Sequence, residues 1–259
     1  MVQSVHNPAS PLTVRDIHKS FAGIHVLNGV SFSVEPGTVT ALVGSNGAGK
    51  STLINVMAGV FPADQGEVYV NGRHVTAQAM HERVAAGFMR TFQHPRVFRS
   101  FTVARCIEFA HASTQEETLW YSLGQALGLR PRTRKRPELD MAIPALEPIL
   151  ARQDAQAGDL SYGEQKLLML AQALATDSSV LFFDELCAGL EPAMVDEVRA
   201  CIRQLAQAQR TIVFVEHNLA LVKSLADRVI FLHQGEIFRD GATDDVLQDD
   251  EVIKLYLGQ

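Results

Sequence analysis

Long apolar runs are missing from this chain. Apolar stretches such as Val180 to Phe183 and Val229 to Leu232 are only strand-length, whereas a bilayer-spanning helix needs about 20 consecutive apolar residues. The chain is therefore not expected to cross a membrane by itself. Cysteine is scarce as well: Cys106, Cys187 and Cys201 are scattered and lack metal-ligand spacing, which fits a reducing compartment and no disulfide framework. Surplus positive charge is absent, since 23 Lys and Arg against 29 Asp and Glu leave a net charge of −6. Nucleic acid is not expected as a partner, because phosphate backbones are met by Lys and Arg in excess. Residues 1–9 carry no charged region followed by an apolar run, so they read as an N-terminal extension and not as a secretory signal. No internal repeat or low-complexity tract interrupts the chain. What is present is ordinary for a packed globule: 47% hydrophobic residues over 259 positions suit one α/β domain, or a core with a smaller lobe.

Along the chain, Leu12 to Ile17, Ser31 to Val34 and Thr38 to Val43 read as strands, the last running directly into a glycine-rich loop. Ser51 to Ala58 reads as a helix. Residues 66–72 alternate and close on Asn71-Gly72, a hairpin signal. From about Phe101 to Ala157 the period becomes helical, with Ile107, Phe109, Leu119, Leu123, Leu127, Ile143, Leu146 and Ile149 as expected buried positions. Next come a helix through Ala175, a strand at Val180 to Phe183, a helix from Pro192 and a strand at Thr211 to Val215. Further strands are expected at Arg228 to Leu232 and Glu236 to Arg239, with a closing helix at Asp249 to Leu257. Alternating strands and helices imply a parallel sheet. The basic run Arg130 to Arg136 reads either as a solvated connection or as a contact for anionic headgroups or an acidic partner loop.

Gly44-Ser45-Asn46-Gly47-Ala48-Gly49-Lys50-Ser51, followed by Thr52, matches GxxxxGK[ST], a pattern that chance would place in about one chain of this length per hundred. The residue types have reasons. Glycines let backbone N–H groups converge on phosphate oxygens. Lys50 offers a point charge to the β- and γ-phosphates, Ser51 a hydroxyl to Mg²⁺, and the following helix its positive end. Asp184 follows four apolar residues and so stands at a strand end, suited to hold Mg²⁺ through water, and Glu185 is placed to deprotonate an attacking water.

With Leu160-Ser161-Tyr162-Gly163-Glu164-Gln165 standing between that loop and Asp184-Glu185, the chain resembles the nucleotide-binding subunits of ATP-binding-cassette transporters over nearly its whole length. The resemblance implies an α/β phosphate-loop NTPase core with a mostly parallel sheet, an N-terminal antiparallel β subdomain and an inserted α-helical subdomain. It implies one domain, 10–259, with 10–100 and 158–259 forming the core and 101–157 the helical part. Phe21 stands where these proteins stack an aromatic on adenine, Gln93 looks like the glutamine that senses the γ-phosphate and joins Ser51 and Asp184 at the metal, and His217 resembles the switch histidine. Alone, Phe21 reads as core, Gln93 as a surface amide and His217 as a structural histidine. In register with two strong motifs, they read as functional. Ser161 and Gly163, at a helix N-terminus, can grip a γ-phosphate, by resemblance that of ATP bound to a second copy. The cofactors implied are ATP and Mg²⁺. The partners implied are a second ATP-binding subunit, identical or paralogous, two integral membrane permease subunits and, indirectly, a solute-binding protein. The location implied is the cytoplasmic face of the inner membrane.

Four residues depart from the family's pattern: Leu186 for proline, Glu164 for glutamine, Glu191 for a shorter residue and Asn218 for aspartate. They bear on the turn after Glu185 and on cross-dimer contacts. Cys187 is near enough to Glu185 for alkylation to be expected to inhibit. Phe92 to Phe98, the basic linker, Tyr162 and the ending Val252 to Gly258 look like the hydrophobic amino acid uptake branch, with branched-chain importers the best match. Urea or short-amide importers, and a soluble assembly or regulatory ATPase, stand as alternatives. A DNA-repair reading would require a long heptad insertion before Ser161, and there is none.

Overall fold

The computed structural model describes residues 10–112 and 144–257. The N-terminal extension, Leu119, Leu123, Leu127, Ile143, the basic run and Gly258 therefore lie outside the described residues. The chain divides into two compact units, Met1–Gln93 with Ser179–Ala188 and Ile202–Gln259, and His94–Ser178 with Gly189–Cys201. The described residues of the expected helical segment, 101–157, fall within the second.

The first unit holds two sheets. β1 (Leu12–Phe21), β2 (Ile24–Val34), β4 (Gln65–Val70) and β5 (Arg73–His74) form an antiparallel sheet in the order β2-β1-β4-β5. Asn71 and Gly72, both at positive φ, make the β4–β5 turn, as their pairing in sequence predicts. The larger sheet has the order β10-β9-β3-β8-β7-β6, from β10 (Glu236–Ala242), β9 (Arg228–His233), β3 (Val39–Gly44), β8 (Thr211–Val215), β7 (Val180–Asp184) and β6 (Phe88–Arg90). All of its pairs are parallel except β9 with β10. Every residue of β3 and β8 is buried, the continuous apolar pattern of strands covered on both faces. Val14, Leu27, Leu53, Phe88, Phe182 and Ile230 belong to one core spanning the strands of both sheets and the first helix.

Around these strands run α1 (Lys50–Met57), α2 (Met80–Ala85), α7 (Leu219–Leu225), α8 (Thr243–Leu247) and α9 (Asp250–Leu257). α2, α7, α8 and β6 are not anticipated from the sequence, being two turns or less, or three residues, too short to establish a period. Arg83 on α2 is buried with no acidic partner among the described residues; its guanidinium instead donates to the carbonyls of Val56, Met57, Thr76 and Gln78. It thereby satisfies carbonyls at the end of α1 that a helix cannot satisfy itself.

In the second unit, α3 (Val103–Ala112), α4 (Glu147–Leu150) and α5 (Tyr162–Ala175) pack together. α6 (Pro192–Gln207) follows the loop 189–191. Ile107, Leu146 and Ile149 are buried as their spacing predicts. Phe109 is not: it is 51% exposed, and its ring lies edge-on to Phe98, itself 50% exposed, at 5.3 Å. Helical period fixes which positions share a face but not whether a face has anything to cover it.

Candidate active site

Four neighbouring parallel strands, β3, β8, β7 and β6, end on one edge of the large sheet, and each delivers part of the site. In open α/β sheets that edge is where ligands bind. β3 enters residues 44–51 at Gly44, where a Cβ would stand 2.2 Å from the carbonyl oxygen of Leu232 on the adjacent strand. Only glycine fits there. The loop closes at Gly49, which caps α1 with φ 100°, in the left-handed region that favours glycine. No side chain caps α1 and no acidic residue lies in its first turn, so its leading N–H groups and positive end face outward for an anion. Ser45, Asn46, Gly47 and Ala48 form the crest, with Ala48 N–H donating to the Ser45 carbonyl at 3.2 Å. Ser51 is exposed and Thr52 half-buried on the first turn of the helix.

Lys50 Nζ donates to the carbonyls of Gly44 (2.5 Å) and Ser45 (2.9 Å). Burial pushes its pKa below the usual lysine value, and the negative charge of Glu185 partly restores it. Phe21, at the end of β1, is 40% exposed and meets Phe61 edge-on at 5.4 Å.

Glu185 joins β6, β7 and β8. Its carboxylate accepts from Gln93 Nε2 at 2.7 Å and lies 3.0 Å from His217 Nε2. Three residues picked from distant points of the sequence thus meet at one carboxylate. Glu185 has φ 47°, uncommon for a residue with a Cβ; its N–H donates to the Val215 carbonyl at 3.0 Å, and its carbonyl accepts from Ala188 N–H at 3.2 Å. Glu216 Oε1 accepts from Cys187 N–H at 3.0 Å. With Leu186 buried, these bonds hold the turn that proline holds elsewhere in the family pattern. Cys187 is itself buried, so a reagent would meet a shielded thiol.

Asp184 Oδ2 pairs with Arg90 at 2.9 Å, and Arg90 also donates to Asn55 Oδ1 at 2.6 Å. Sequence reasoning missed Arg90, Asn55 and Glu216. A signal existed for Asn55, a polar residue four positions after Ser51 and so on the same helical face; none existed for the Arg90–Asp184 pair, which depends on β6 lying beside β7.

In the second unit Ser161 caps α5. Its hydroxyl accepts from Glu164 N–H at 3.3 Å while Glu164 Oε2 accepts from Ser161 N–H at 2.8 Å, a reciprocal capping box. Glu164, one of the departures, is therefore a helix-starting residue, and it also pairs with Arg152. Burial by itself raises the Glu164 carboxyl, but the Ser161 and Arg152 hydrogen bonds outweigh it and hold the pKa below the usual range. At Gly163 a Cβ would come 3.1 Å from Met194 Cε, the flexible end of a side chain on α6, which would have to give by a few tenths of an ångström. Asn218, another departure, caps α7 by accepting from Ala220 N–H and Leu221 N–H, a task Asp performs equally.

The family model for ABC transporters matches residues 27–188, well over half of the chain. The chain belongs to the ABC transporter family. It is 31% identical over 253 residues to the high-affinity branched-chain amino acid transport ATP-binding protein BraF of Pseudomonas aeruginosa, covering 96% of this cassette and 98% of the relative. The corresponding protein LivG of Salmonella typhimurium is 32% identical over the same shares. Among solved structures, a nucleotide-free ATP-binding cassette from an ABC transporter superposes with a TM-score of 0.81 at 30% identity, covering 96% of this chain and all of that one. A cassette in its ADP conformation gives 0.79 at 31% identity, over 96% and 99%. Like these, the present chain is an ATP-binding cassette. Among its described residues, no helix is long and apolar enough to cross a membrane.

Proposed function

We propose that this cassette is the ATP-hydrolysing subunit of an importer for branched-chain and related hydrophobic amino acids, working on two permease subunits at the cytoplasmic face of the inner membrane. The observation that carries the ATPase reading is the Glu185 carboxylate held between Gln93 and His217 on the edge where residues 44–51 close. The solute follows from the end-to-end similarity to two branched-chain amino acid transport proteins.

In this reading ATP lays its phosphates on the N–H groups of residues 44–52, and Lys50 exchanges the Gly44 and Ser45 carbonyls for β- and γ-phosphate oxygens. Phe21 offers its exposed ring to adenine. The donors fit Mg²⁺, a hard cation that takes few protein oxygens beside phosphate and water: among the described residues nothing binds the Ser51 hydroxyl, and Gln93, donating its amide nitrogen to Glu185, leaves its amide oxygen available. Ser51, Gln93 and Asp184 would hold the ion, which supplies neutralisation of phosphate charge. Glu185 takes the proton of a water whose oxygen attacks the γ-phosphorus, and ADP leaves. His217 and Gln93 fix the Glu185 carboxylate and sense whether the γ-phosphate is there.

Ser161 and Gly163 act on the nucleotide of a second copy, identical or paralogous, so that ATP closes the pair and hydrolysis opens it. Residues 10–259 are one cassette in which 101–157 is the helical subdomain. The exposed rings of Phe98 and Phe109, with Arg105 over Phe101 at 4.3 Å, offer a permease an apolar landing rimmed by charge. A solute-binding protein outside the membrane delivers the amino acid. The test is uptake of labelled leucine, urea and a short amide by source cells carrying Glu185→Gln. Selective loss of leucine uptake is expected; loss of urea or amide uptake alone, or of none, refutes the solute or the transport role.

A further inference from the structure

The C-terminal helix reaches the loop that carries His217. Tyr256 O–H donates to the His217 backbone carbonyl at 2.9 Å, across 39 residues of sequence. That loop is only three residues long, from the end of β8 at Val215 to the start of α7 at Leu219. Both neighbours of His217 are committed: Glu216 accepts from Cys187 N–H, and Asn218 caps α7. The His217 side chain is 53% exposed, so packing does little to orient it. Its place beside Glu185 depends on how its own peptide unit is held.

α9 is well seated to do this. Its Tyr256 shares an apolar pocket with Val43, Leu219, Phe231 and Leu247. Asp249 Oδ1 accepts from the N–H groups of Glu251 and Val252 at the start of the helix, and Arg239 pairs with both Asp249 and Glu251. Burial raises the Tyr256 phenol above its usual pKa, so the hydroxyl stays a donor throughout the neutral range.

We propose that Tyr256 is a positioning residue for His217: through its hydrogen bond to the His217 carbonyl, the C-terminal helix sets where the imidazole stands beside Glu185. The assignment rests on the ATPase reading above. Tyr256 is given no part in the chemical step itself and acts only through the histidine.

The test is Tyr256→Phe in the full chain, which keeps the ring and removes the hydroxyl, with Lys254→Ser as a control at an exposed position of the same helix outside the apolar pocket. kcat for ATP hydrolysis is expected to fall about 3- to 10-fold, the worth of one hydrogen bond, while KM for ATP stays within about twofold because the phosphate loop is untouched. A second readout needs no turnover. The His217 ring resonance, assigned among the nine histidines by its loss in His217→Ala, should shift in Tyr256→Phe and not in Lys254→Ser. Unchanged kcat with an unmoved resonance overturns the assignment, as does an equal effect of the control. ATP turnover that is undiminished by Lys50→Ala in the otherwise unaltered chain overturns the ATPase reading and the assignment with it. Lys50-dependent turnover indifferent to Tyr256 overturns the assignment alone.

Discussion

Arg90→Met isolates the contact that sequence reasoning missed. The arginine side chain is 11% exposed and Asp184 18%, so the pair is largely desolvated. Removing the guanidinium deletes the bonds to Asp184 at 2.9 Å and Asn55 at 2.6 Å and leaves the carboxylate facing the site alone. Breaking a buried pair by deleting one partner costs about 3–5 kcal/mol. Two features lower that figure: Asp184 keeps some contact with water, and Arg90 Nε is already buried without a partner, a penalty the variant relieves. We expect a loss of about 3 kcal/mol, which for a chain of this size lowers Tm by roughly 6–12 °C. Thermal unfolding of wild type, Arg90→Met, Asp184→Asn and the double variant forms a cycle in which the two single losses should fail to add by at least about 1 kcal/mol. A Tm drop below about 2 °C, or additive losses, would show that the pair does not hold the end of β7.

Glu185→Gln should fold as wild type, because an amide can still accept from Gln93, and should bind ATP while kcat falls about 10²- to 10⁴-fold; turnover within tenfold of wild type removes Glu185 from the role of base. Glu164 has its folded pKa depressed below the ordinary value of 4.5, so its contribution is present above that value and is lost as pH falls through the lowered one. Stability of Glu164→Gln against pH should accordingly lie below wild type at neutral pH and converge with it in acid; parallel curves would contradict the assignment. Arg83→Met strips donors from four carbonyls, of which that of Val56 keeps the Gly59 N–H at 3.1 Å. It should destabilise by about 3 kcal/mol, at about 1 kcal/mol for each of the other three, the low end of a range of about 1–3 kcal/mol because Thr76 and Gln78 are only half-buried, as denaturant titration would report.

How much could be read from the one-dimensional chain follows from the range of each interaction. The phosphate loop is local: β3, the loop and α1 are consecutive, so Gly44 to Thr52 could be assigned residue by residue. So could the Asn71-Gly72 turn, and the Ser161 cap is equally local, its partner Glu164 lying three positions on, although in sequence Glu164 stood out only as a departure from the family's pattern. Each needs only backbone geometry and neighbours within one turn. Phe21, Gln93 and His217 were reached differently, through their order relative to stronger motifs; nothing in their surroundings distinguished them from core, surface and structural residues. The tertiary structure decided the rest. The order β3-β8-β7-β6 brings Gln93, Glu185 and His217 to one point, lays Arg90 against Asp184, and carries Tyr256 from the end of the chain to the loop of the switch histidine. Phe109 shows the same limit from the other side, since helical spacing selects its face and only the packing of neighbours decides that the face stays open. Period and spacing encode what a residue does within one turn or one strand; which strands lie side by side is fixed by the burial of the whole sheet, a property no local stretch of sequence carries.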